Sequence, residues 1–289
     1  MSAYDLRMLK AILFLIIAMA SIQGGATVAK QIFPLVGPAG TSALRLFFAT
    51  IILWIIFRPW KKTLTKDQMK KLLVYGACLG LMNLSFYYAL ERIPLGLAVS
   101  LEFTGPLAVA IFSSRKKVDY LWAILAGLGI FLILPSFQGS ESLDIVGVIL
   151  ALVAGAFWAG YILYGKKAGK DIPGTLAATW GMTFAALFVV PAGLFTSAEK
   201  LFSWELVPFG VGVAILSSAL PYTLEMISLK RIPTKTFGVL MSLEPALAAF
   251  AGLLFLNEHL TMPQWFAMLL IMISSLGSSL TAEENLTAA

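Results

Sequence analysis

The sequence predicts an all-α membrane protein of ten transmembrane helices, built as two five-helix repeats of inverted topology with both termini in the cytoplasm. Three observations predict this architecture: the composition, the spacing of the apolar runs, and a motif that recurs in both halves. Hydrophobic residues make up 59% of the 289 residues, and charged residues only 12%. A water-soluble core cannot absorb such a chain, so the composition alone indicates a membrane protein.

Apolar runs of about 20 residues recur along the whole chain, which is the length that crosses roughly 30 Å of hydrocarbon at 1.5 Å per residue. The connections between them are too short for a water-soluble domain, so the function is expected to lie inside the membrane. The predicted spans are 11–30, 39–57, 71–90, 95–113, 120–137, 145–164, 174–196, 206–229, 235–256 and 263–281.

A short motif in the first half returns in the second half, 139 positions later. Arg-Ile-Pro at 92–94 returns at 231–233, and Pro106 returns as Pro245 at the same offset. This recurrence indicates a duplicated unit of five spans. Because five is odd, the second copy must enter the bilayer from the side opposite the first, as in the inverted repeats of secondary transporters.

The duplication divides the chain into three parts. The first repeat is predicted at 11–137 and the second at 145–281. Residues 282–289 are predicted to form a short cytoplasmic tail, which contains no recognisable motif.

The basic residues orient the predicted bundle, because Lys and Arg accumulate in cytoplasmic loops. Nearly all of the 21 basic residues fall on one side. The exceptions are Lys30, Arg92 and Lys200 on the other side, and Arg45 within a span. Both termini are therefore expected in the cytoplasm. No basic stripe with interleaved aromatic residues suggests a nucleic-acid partner.

Four ionisable residues lie well inside predicted spans: Arg45, Glu102, Glu225 and Glu244. Each costs roughly 2.5 to 3.5 kcal/mol to insert, so each carries a functional hypothesis. Pro106 lacks the N–H that would bond the carbonyl of Glu102, which suggests a broken helix lining a cavity. The alternative is a proline kink with a protonated glutamate bonded to a neighbouring helix.

The corresponding proline of the second repeat, Pro245, frees the carbonyl of Met241 in the same way. Glu244 lies opposite Gly105 of the first repeat, about one helical turn from the position equivalent to Glu102. The backbone interruptions therefore match while the charges do not, which predicts an asymmetric site.

A polar face is predicted on the eighth span, because spacings of three, four and seven residues put side chains on one side of a helix. In the first repeat, the same offset aligns Asn83 with Tyr222, and Tyr87 lies one turn further along. These residues either line the cavity or form hydrogen bonds between helices. The residues of the eighth-span face are Ser218, Pro221, Tyr222 and Glu225.

Arg45 has three possible roles. Its guanidinium can hold a substrate carboxylate through two hydrogen bonds, or it can extend to the membrane surface. We favour a structural role as the partner of an internal glutamate. The aromatic residues Trp158, Tyr161 and Trp180 are candidates for the wall of a cavity, or anchors at the membrane interface.

Several other classes of site are disfavoured. His259 is the only histidine and has no cluster of ligands around it, so neither a metal site nor a cofactor is expected. No Gly-rich phosphate loop is present, which argues against nucleotide-driven pumping. An intramembrane enzyme would have only the three internal glutamates to work with, since no Asp lies inside a span.

Four segments give the chain a family resemblance: Ala18 to Lys30, Phe33 to Leu46, Leu101 to Arg115, and Ala214 to Ala249. Through these segments the chain resembles the drug/metabolite transporter superfamily, in the branch whose duplicated five-helix unit is called EamA. The resemblance covers essentially the full length.

The resemblance implies an exporter in the bacterial inner membrane, with a small zwitterionic amino acid, L-threonine or L-homoserine, as substrate and protons as the coupling ion. The alternative is an exporter of the same fold for another amino acid, a purine derivative or an amphipathic toxin. Alternating access around a cavity near the midplane is the expected mechanism. Among the internal carboxyls, we expect Glu102 first and Glu225 second to carry the proton.

Overall fold

The computed structural model describes residues 3–113, 116–133, 143–169, 172–201, 203–229, 231–232 and 234–281. These residues form helices joined by short turns and contain no strand, which confirms the predicted all-α class. The α-helices are α1 Ala3–Gln31, α2 Phe33–Phe57, α3 Lys66–Leu90, α4 Leu95–Glu102, α5 Thr104–Ser113, α6 Val118–Ile133, α7 Ile145–Gly169, α8 Gly174–Leu201, α9 Val207–Ala214, α10 Leu220–Leu229, α11 Thr234–Met241, α12 Glu244–Leu256 and α13 Met262–Thr281.

Within the described residues, nine stretches are long and apolar enough to cross a membrane. Each overlaps one of the ten predicted spans, with ends that differ by up to seven residues. The remaining predicted span, 120–137, corresponds to α6, which has 16 described residues. Its last predicted positions and the tail 282–289 lie outside the described residues.

Three of the predicted spans are divided into two helices: 206–229 by a π-helical turn between α9 and α10, and two others by a break near a proline. The first of these breaks falls at Phe103, between α4 and α5, and the second at Ser242 and Leu243, between α11 and α12. The 139-position offset that relates Pro106 to Pro245 also relates these two divisions. In both places the missing proline N–H ends the run of helical hydrogen bonds.

The turn that precedes each divided span also repeats. The N–H of Ile93 donates to the carbonyl of Ala89 at 2.9 Å, and the N–H of Ile232 donates to the carbonyl of Ser228 at 2.9 Å. The same backbone conformation therefore recurs at equivalent positions of the two halves.

The two halves of the chain interleave. Several extensive helix pairs each join one helix before residue 134 to one after residue 144, among them α1 with α10, α2 with α8, α3 with α7, α3 with α8, α4 with α12, and α6 with α13. The largest group of buried apolar side chains draws on α3, α4, α7, α12 and α13. The core is thus shared between the halves.

Glycines allow a close helix approach at one position and a helix interruption at another. A Cβ atom on Gly25 of α1 would overlap Ser217 Oγ, whereas one on the neighbouring Gly24 would meet nothing within 4 Å. Gly37 has a φ of 67°, which side chains rarely adopt, and it interrupts α2 just before Pro38. The regular helix of the second span therefore begins close to the predicted residue 39.

An exposed carboxylate joins the two halves at the start of α7. Asp144 Oδ1 accepts a hydrogen bond from the N–H of Val146 at 2.8 Å, and Oδ2 accepts one from Arg92 at 2.7 Å. The Arg92 guanidinium and the helix N–H lower the pKa of Asp144 below its ordinary value. The carboxylate therefore stays ionised at neutral pH and caps the helix.

Candidate functional site

A cavity of about 150 Å³ lies among helices of both halves. It is lined by the four ionisable residues that sequence reasoning selected inside the spans: Arg45, Glu102, Glu225 and Glu244. These residues come from α2, α4, α10 and α12, so both halves contribute charge to one site.

Three further predicted residues also line the cavity: Asn83, Pro221 and Tyr222. Tyr87 and Ser218, which were also predicted, do not line it. Both are fully buried behind the lining residue Arg45 and accept hydrogen bonds from its guanidinium. Pro106 and Pro245 are likewise not among the lining residues, although both follow the helix divisions that border the site.

Arg45 is held by hydroxyl and carbonyl oxygens. Nε donates to Ser218 Oγ at 3.3 Å, Nη1 to Tyr87 Oη at 3.3 Å, and Nη2 to the carbonyl of Ser217 at 2.9 Å. That carbonyl lies four residues before Pro221, which has no N–H to offer it. The expected ion pair between Arg45 and an internal glutamate is therefore absent from the described residues, because the backbone supplies an acceptor in its place.

The segment that holds Arg45 is a single π-helical turn, Ile215–Ala219, between α9 and α10. A π-turn widens the helix and exposes carbonyls to partners outside the helix, and such turns are frequent at functional sites. The carbonyl of Leu216 accepts a hydrogen bond from Ser21 Oγ at 2.7 Å. Side chains of α1 and α2 thus stabilise consecutive carbonyls of this turn.

The carbonyl of Glu102, freed by Pro106, is packed against a neighbouring helix. A Cβ atom on Gly155 of α7 would lie 2.7 Å from this oxygen, and one on Gly105 would overlap the Gly155 carbonyl. The freed carbonyl was expected to line the cavity. Instead, two facing glycines, Gly105 and Gly155, bring α5 and α7 into backbone contact beside it. The lining residue Glu102 forms no side-chain hydrogen bond within the described part of the chain.

Gln23 is a site residue that sequence reasoning missed. Its Nε2 donates to Glu244 Oε1 at 3.2 Å, and both side chains are buried, with exposed fractions of 2% and 5%. The available signal was a lone amide in the middle of the first apolar span.

Aromatic rings form part of the wall. Trp158 and Tyr161 line the cavity, as considered from the sequence, whereas Trp180 does not. Tyr161 stacks on Tyr75 with ring centroids 4.8 Å apart. Trp180 instead packs edge-on against Trp54 at 5.6 Å. Of the apolar lining residues, Ile22 and Met82 carried no signal in the sequence, whereas Met241 stands at the position equivalent to Glu102.

A second charged cluster lies at one end of the bundle. Lys30 Nζ forms an ion pair with Glu258 Oε1 at 2.6 Å and donates to the carbonyl of Ile93 at 3.2 Å. Glu258 Oε2 accepts a hydrogen bond from the N–H of Leu95, the first residue of α4, at 2.7 Å. One carboxylate thus joins the end of α1, the start of α4 and the segment after α12.

Metal binding has no support in the part of the chain that the structure describes. No group of three or more His, Cys, Asp or Glu side chains there is arranged to hold a metal ion.

A polytopic helical bundle with divided helices and a charged internal cavity is characteristic of a membrane transporter. The chain belongs to the EamA-like transporter family, whose model matches it twice, at residues 9–135 and 145–280. Its class is therefore that of a transporter and not of an enzyme.

Curated relatives refine the comparison. The chain is 53% identical over 275 residues to the threonine/homoserine exporter RhtA of Escherichia coli (strain K12), covering 95% of this chain and 92% of that protein. It is 52% identical over 271 residues to RhtA of Salmonella typhimurium (strain LT2), covering 93% and 91%. An uncharacterized transporter of Bacillus subtilis, YwfM, is 28% identical over 190 residues, covering 64% of this chain and 62% of its own length.

A solved crystal structure shares the fold. It superposes with a TM-score of 0.59 at 16% sequence identity, over 96% of this chain and 97% of that chain. At this identity, the likeness concerns the fold alone.

Proposed function

We propose that this protein is a secondary exporter of small zwitterionic amino acids, L-threonine and L-homoserine, in the bacterial inner membrane, driven by proton antiport. The similarity to the two RhtA proteins supports the substrate class. The observation that carries the proposal is the internal cavity, where one guanidinium and three carboxyl groups line the same small space. A zwitterion presents both complementary charges.

Arg45 is the binding partner for the substrate carboxylate. A guanidinium has five N–H donors, and three of them are used in bonds to Ser218, Tyr87 and Ser217. The two remaining donors can meet a carboxylate, and the three protein bonds hold the guanidinium rigid while they do so.

Glu102 is the binding partner for the ammonium group. It lines the cavity, and the described residues offer its carboxyl no hydrogen-bond partner. An ionised carboxylate in that position has its acceptor sites available for an incoming ammonium. Glu225 lines the same cavity and is the second candidate.

The size of the cavity restricts the substrate. At about 150 Å³ it is well below the roughly 300–1,000 Å³ of pockets for drug-sized ligands. Amino acids with short side chains fit this conformation better than amphipathic toxins do.

Transport follows an alternating-access cycle of ten spans in two inverted repeats, with both termini in the cytoplasm. The interleaved halves and the matched divisions at Phe103 and Ser242 support this arrangement. The half-helices α4 and α12 meet at the end of the bundle that is poor in basic residues, where a Cβ atom on Gly96 would lie 2.7 Å from Ala249 Cβ. We assign this end to the periplasm. Because it is closely packed, the structure corresponds to the state in which the cavity faces the cytoplasm.

The Lys30–Glu258 cluster stabilises the closed end, and we call this cluster the latch. Its carboxylate bonds both Lys30 and the N-terminus of α4, so it holds α1, α4 and the segment after α12 together. An outward-facing state must separate α4 from α12, and this separation breaks the latch.

The test is counterflow of radiolabelled L-threonine in proteoliposomes. We expect exchange that unlabelled homoserine inhibits and tryptophan does not, and accumulation when a proton gradient is imposed. Glu102→Gln should reduce exchange at least tenfold, since it removes a charge-assisted contact of about 1.5–3 kcal/mol. Glu205→Gln, at an exposed position, is the matched control and should leave exchange unchanged.

Two results would contradict the proposal. Absence of threonine exchange in the folded wild-type protein would remove the assigned substrate. Exchange that tryptophan inhibits as strongly as homoserine would remove the size restriction attributed to the cavity.

A further inference from the structure

The contact between Gln23 and Glu244 leaves two buried oxygens without a partner. Gln23 Nε2 donates to Glu244 Oε1, while Gln23 Oε1 and Glu244 Oε2 have no hydrogen-bond donor within the described part of the chain. Both side chains are more than nine-tenths buried. A buried polar atom without a partner is costly, so this arrangement calls for an explanation.

Both atoms are acceptors when the carboxyl is ionised, so they cannot bond each other in that form. An amide and a carboxyl are planar groups of similar shape, and here they already share one hydrogen bond. A proton on Glu244 Oε2 turns that oxygen into a donor. Gln23 already contacts this carboxyl through its Nε2, and its own Oε1 is an acceptor without a donor. One proton therefore satisfies both atoms.

We propose that Glu244 holds a proton in this conformation and shares it with Gln23 in a cyclic amide–acid pair, which makes the pair a proton-binding site between α1 and α12. The pair joins the two halves of the protein, since α1 belongs to the first half and α12 to the second. The use of this proton in transport rests on the proposed proton antiport, whereas the pair itself does not.

The surroundings favour the neutral acid. On the elements that face Glu244 across the cavity, the charged and titratable groups are Glu102 of α4, Glu225 of α10, Arg45 of α2, and the phenols Tyr161 and Tyr222. Arg45 is already bonded to Ser217, Ser218 and Tyr87. Three carboxylates beside one cation would leave an excess of negative charge in a low-dielectric site.

Release of the proton opens the cyclic pair. The Oε2–H bond of Glu244 breaks, its electron pair stays on the carboxylate, and the proton passes to water that enters the cavity. Gln23 Oε1 then loses its donor, and only the hydrogen bond from Gln23 Nε2 to the carboxylate still joins α1 and α12. The position of the divided helix that begins at Glu244 is thereby linked to proton occupancy.

The test is infrared difference spectroscopy of the purified full-length protein at neutral pH, without substrate. Each variant is compared with the wild type in H₂O and in D₂O. Glu244→Gln should remove the C=O stretching band of a protonated carboxyl, a band that shifts to lower frequency in D₂O. Glu205→Gln, the exposed control, should remove carboxylate bands instead.

Gln23→Met supplies the second arm, since methionine has a similar length and no amide. The protonated-carboxyl band of Glu244 should move to higher frequency, because its hydroxyl loses the strong amide acceptor. Loss of carboxylate bands in Glu244→Gln would overturn the proposal. A band that Gln23→Met does not move would overturn the pairing. Both infrared readouts are independent of threonine transport. A failed transport assay would therefore contradict the proposed function but not the amide–acid pair.

Discussion

At the scale of single residues, Arg45 shows how a half-buried charge is held by hydroxyl and carbonyl oxygens, without a direct ion pair within the described residues. Pro221 leaves the Ser217 carbonyl without its helical donor, and Nη2 of Arg45 occupies that acceptor at 2.9 Å. The hydroxyls of Ser218 and Tyr87 fix the rest of the guanidinium. The charge itself therefore remains available to a ligand in the cavity.

The role of Arg45 is tested by Arg45→Lys, which keeps the charge but loses the planar group that reaches three acceptors and a ligand together. We expect the KM for threonine exchange to rise at least tenfold. Tyr87→Phe removes only one acceptor and should raise the KM much less. If Arg45→Lys lowered the thermal stability without changing the KM, the residue would have a structural role alone.

Gly25 and Gly24 form a matched pair for a stability measurement. Gly25→Ala places a Cβ atom onto Ser217 Oγ, and such overpacking costs about 1–3 kcal/mol. Gly24→Ala meets no atom within 4 Å and should be neutral or slightly stabilising. Thermal unfolding in detergent should therefore show a lower Tm for Gly25→Ala alone. Equal Tm values for the two variants would contradict the close approach of α1 to the π-turn.

At the scale of elements, the divided helices differ in what stabilises their free ends. The start of α4 is capped by the Glu258 carboxylate, which lies at the positive end of the helix dipole. The start of α12 carries Glu244, which is bonded to Gln23 of α1. Within the described residues, the start of each short helix therefore has a polar contact with another part of the bundle, one at the closed end and one beside the cavity.

The latch is tested by Glu258→Gln with a cysteine reporter at Ser100, a fully buried position on α4. Native Cys78 is first replaced by alanine. Loss of the ion pair should destabilise the closed end by about 1 kcal/mol relative to the open end. The rate at which an impermeant thiol reagent labels the cysteine from the periplasm should then rise roughly fivefold. Lys71→Gln, which breaks an exposed pair with Asp67 elsewhere on the surface, is the control and should leave labelling unchanged.

If Glu258→Gln left the labelling rate at the level of the Lys71 control, the Lys30–Glu258 pair would not be the latch. A rise in labelling only from the cytoplasmic side would place the closed end on the wrong side of the membrane. It would then also overturn the assigned orientation of the termini.

At the scale of the whole molecule, the helical class and the location of the spans followed from hydrophobicity and length. The helix divisions followed from proline, because a missing N–H acts locally and is visible in the sequence. The matched turns before Pro94 and at Ile232 likewise reflect a repeated local motif. These features depend on neighbours in the chain, which is why the sequence reveals them.

Other features depend on residues that are distant in sequence, and these were missed. The packing of the Glu102 carbonyl on Gly155 needs the approach of α5 to α7. The Gln23–Glu244 contact joins residues separated by 221 positions, and the Lys30–Glu258 pair joins residues separated by 228. No periodicity within one helix carries information about such pairs.

The central claim is that a zwitterion occupies the cavity between a guanidinium and a carboxylate, and its most direct test is competition against labelled threonine in counterflow. L-threoninamide lacks the carboxylate, and N-acetyl-L-threonine lacks the ammonium. We expect each to compete at least tenfold more weakly than L-threonine, and Arg45→Lys to lose its preference for threonine over threoninamide. Competition by either derivative as strong as that of L-threonine would contradict the account.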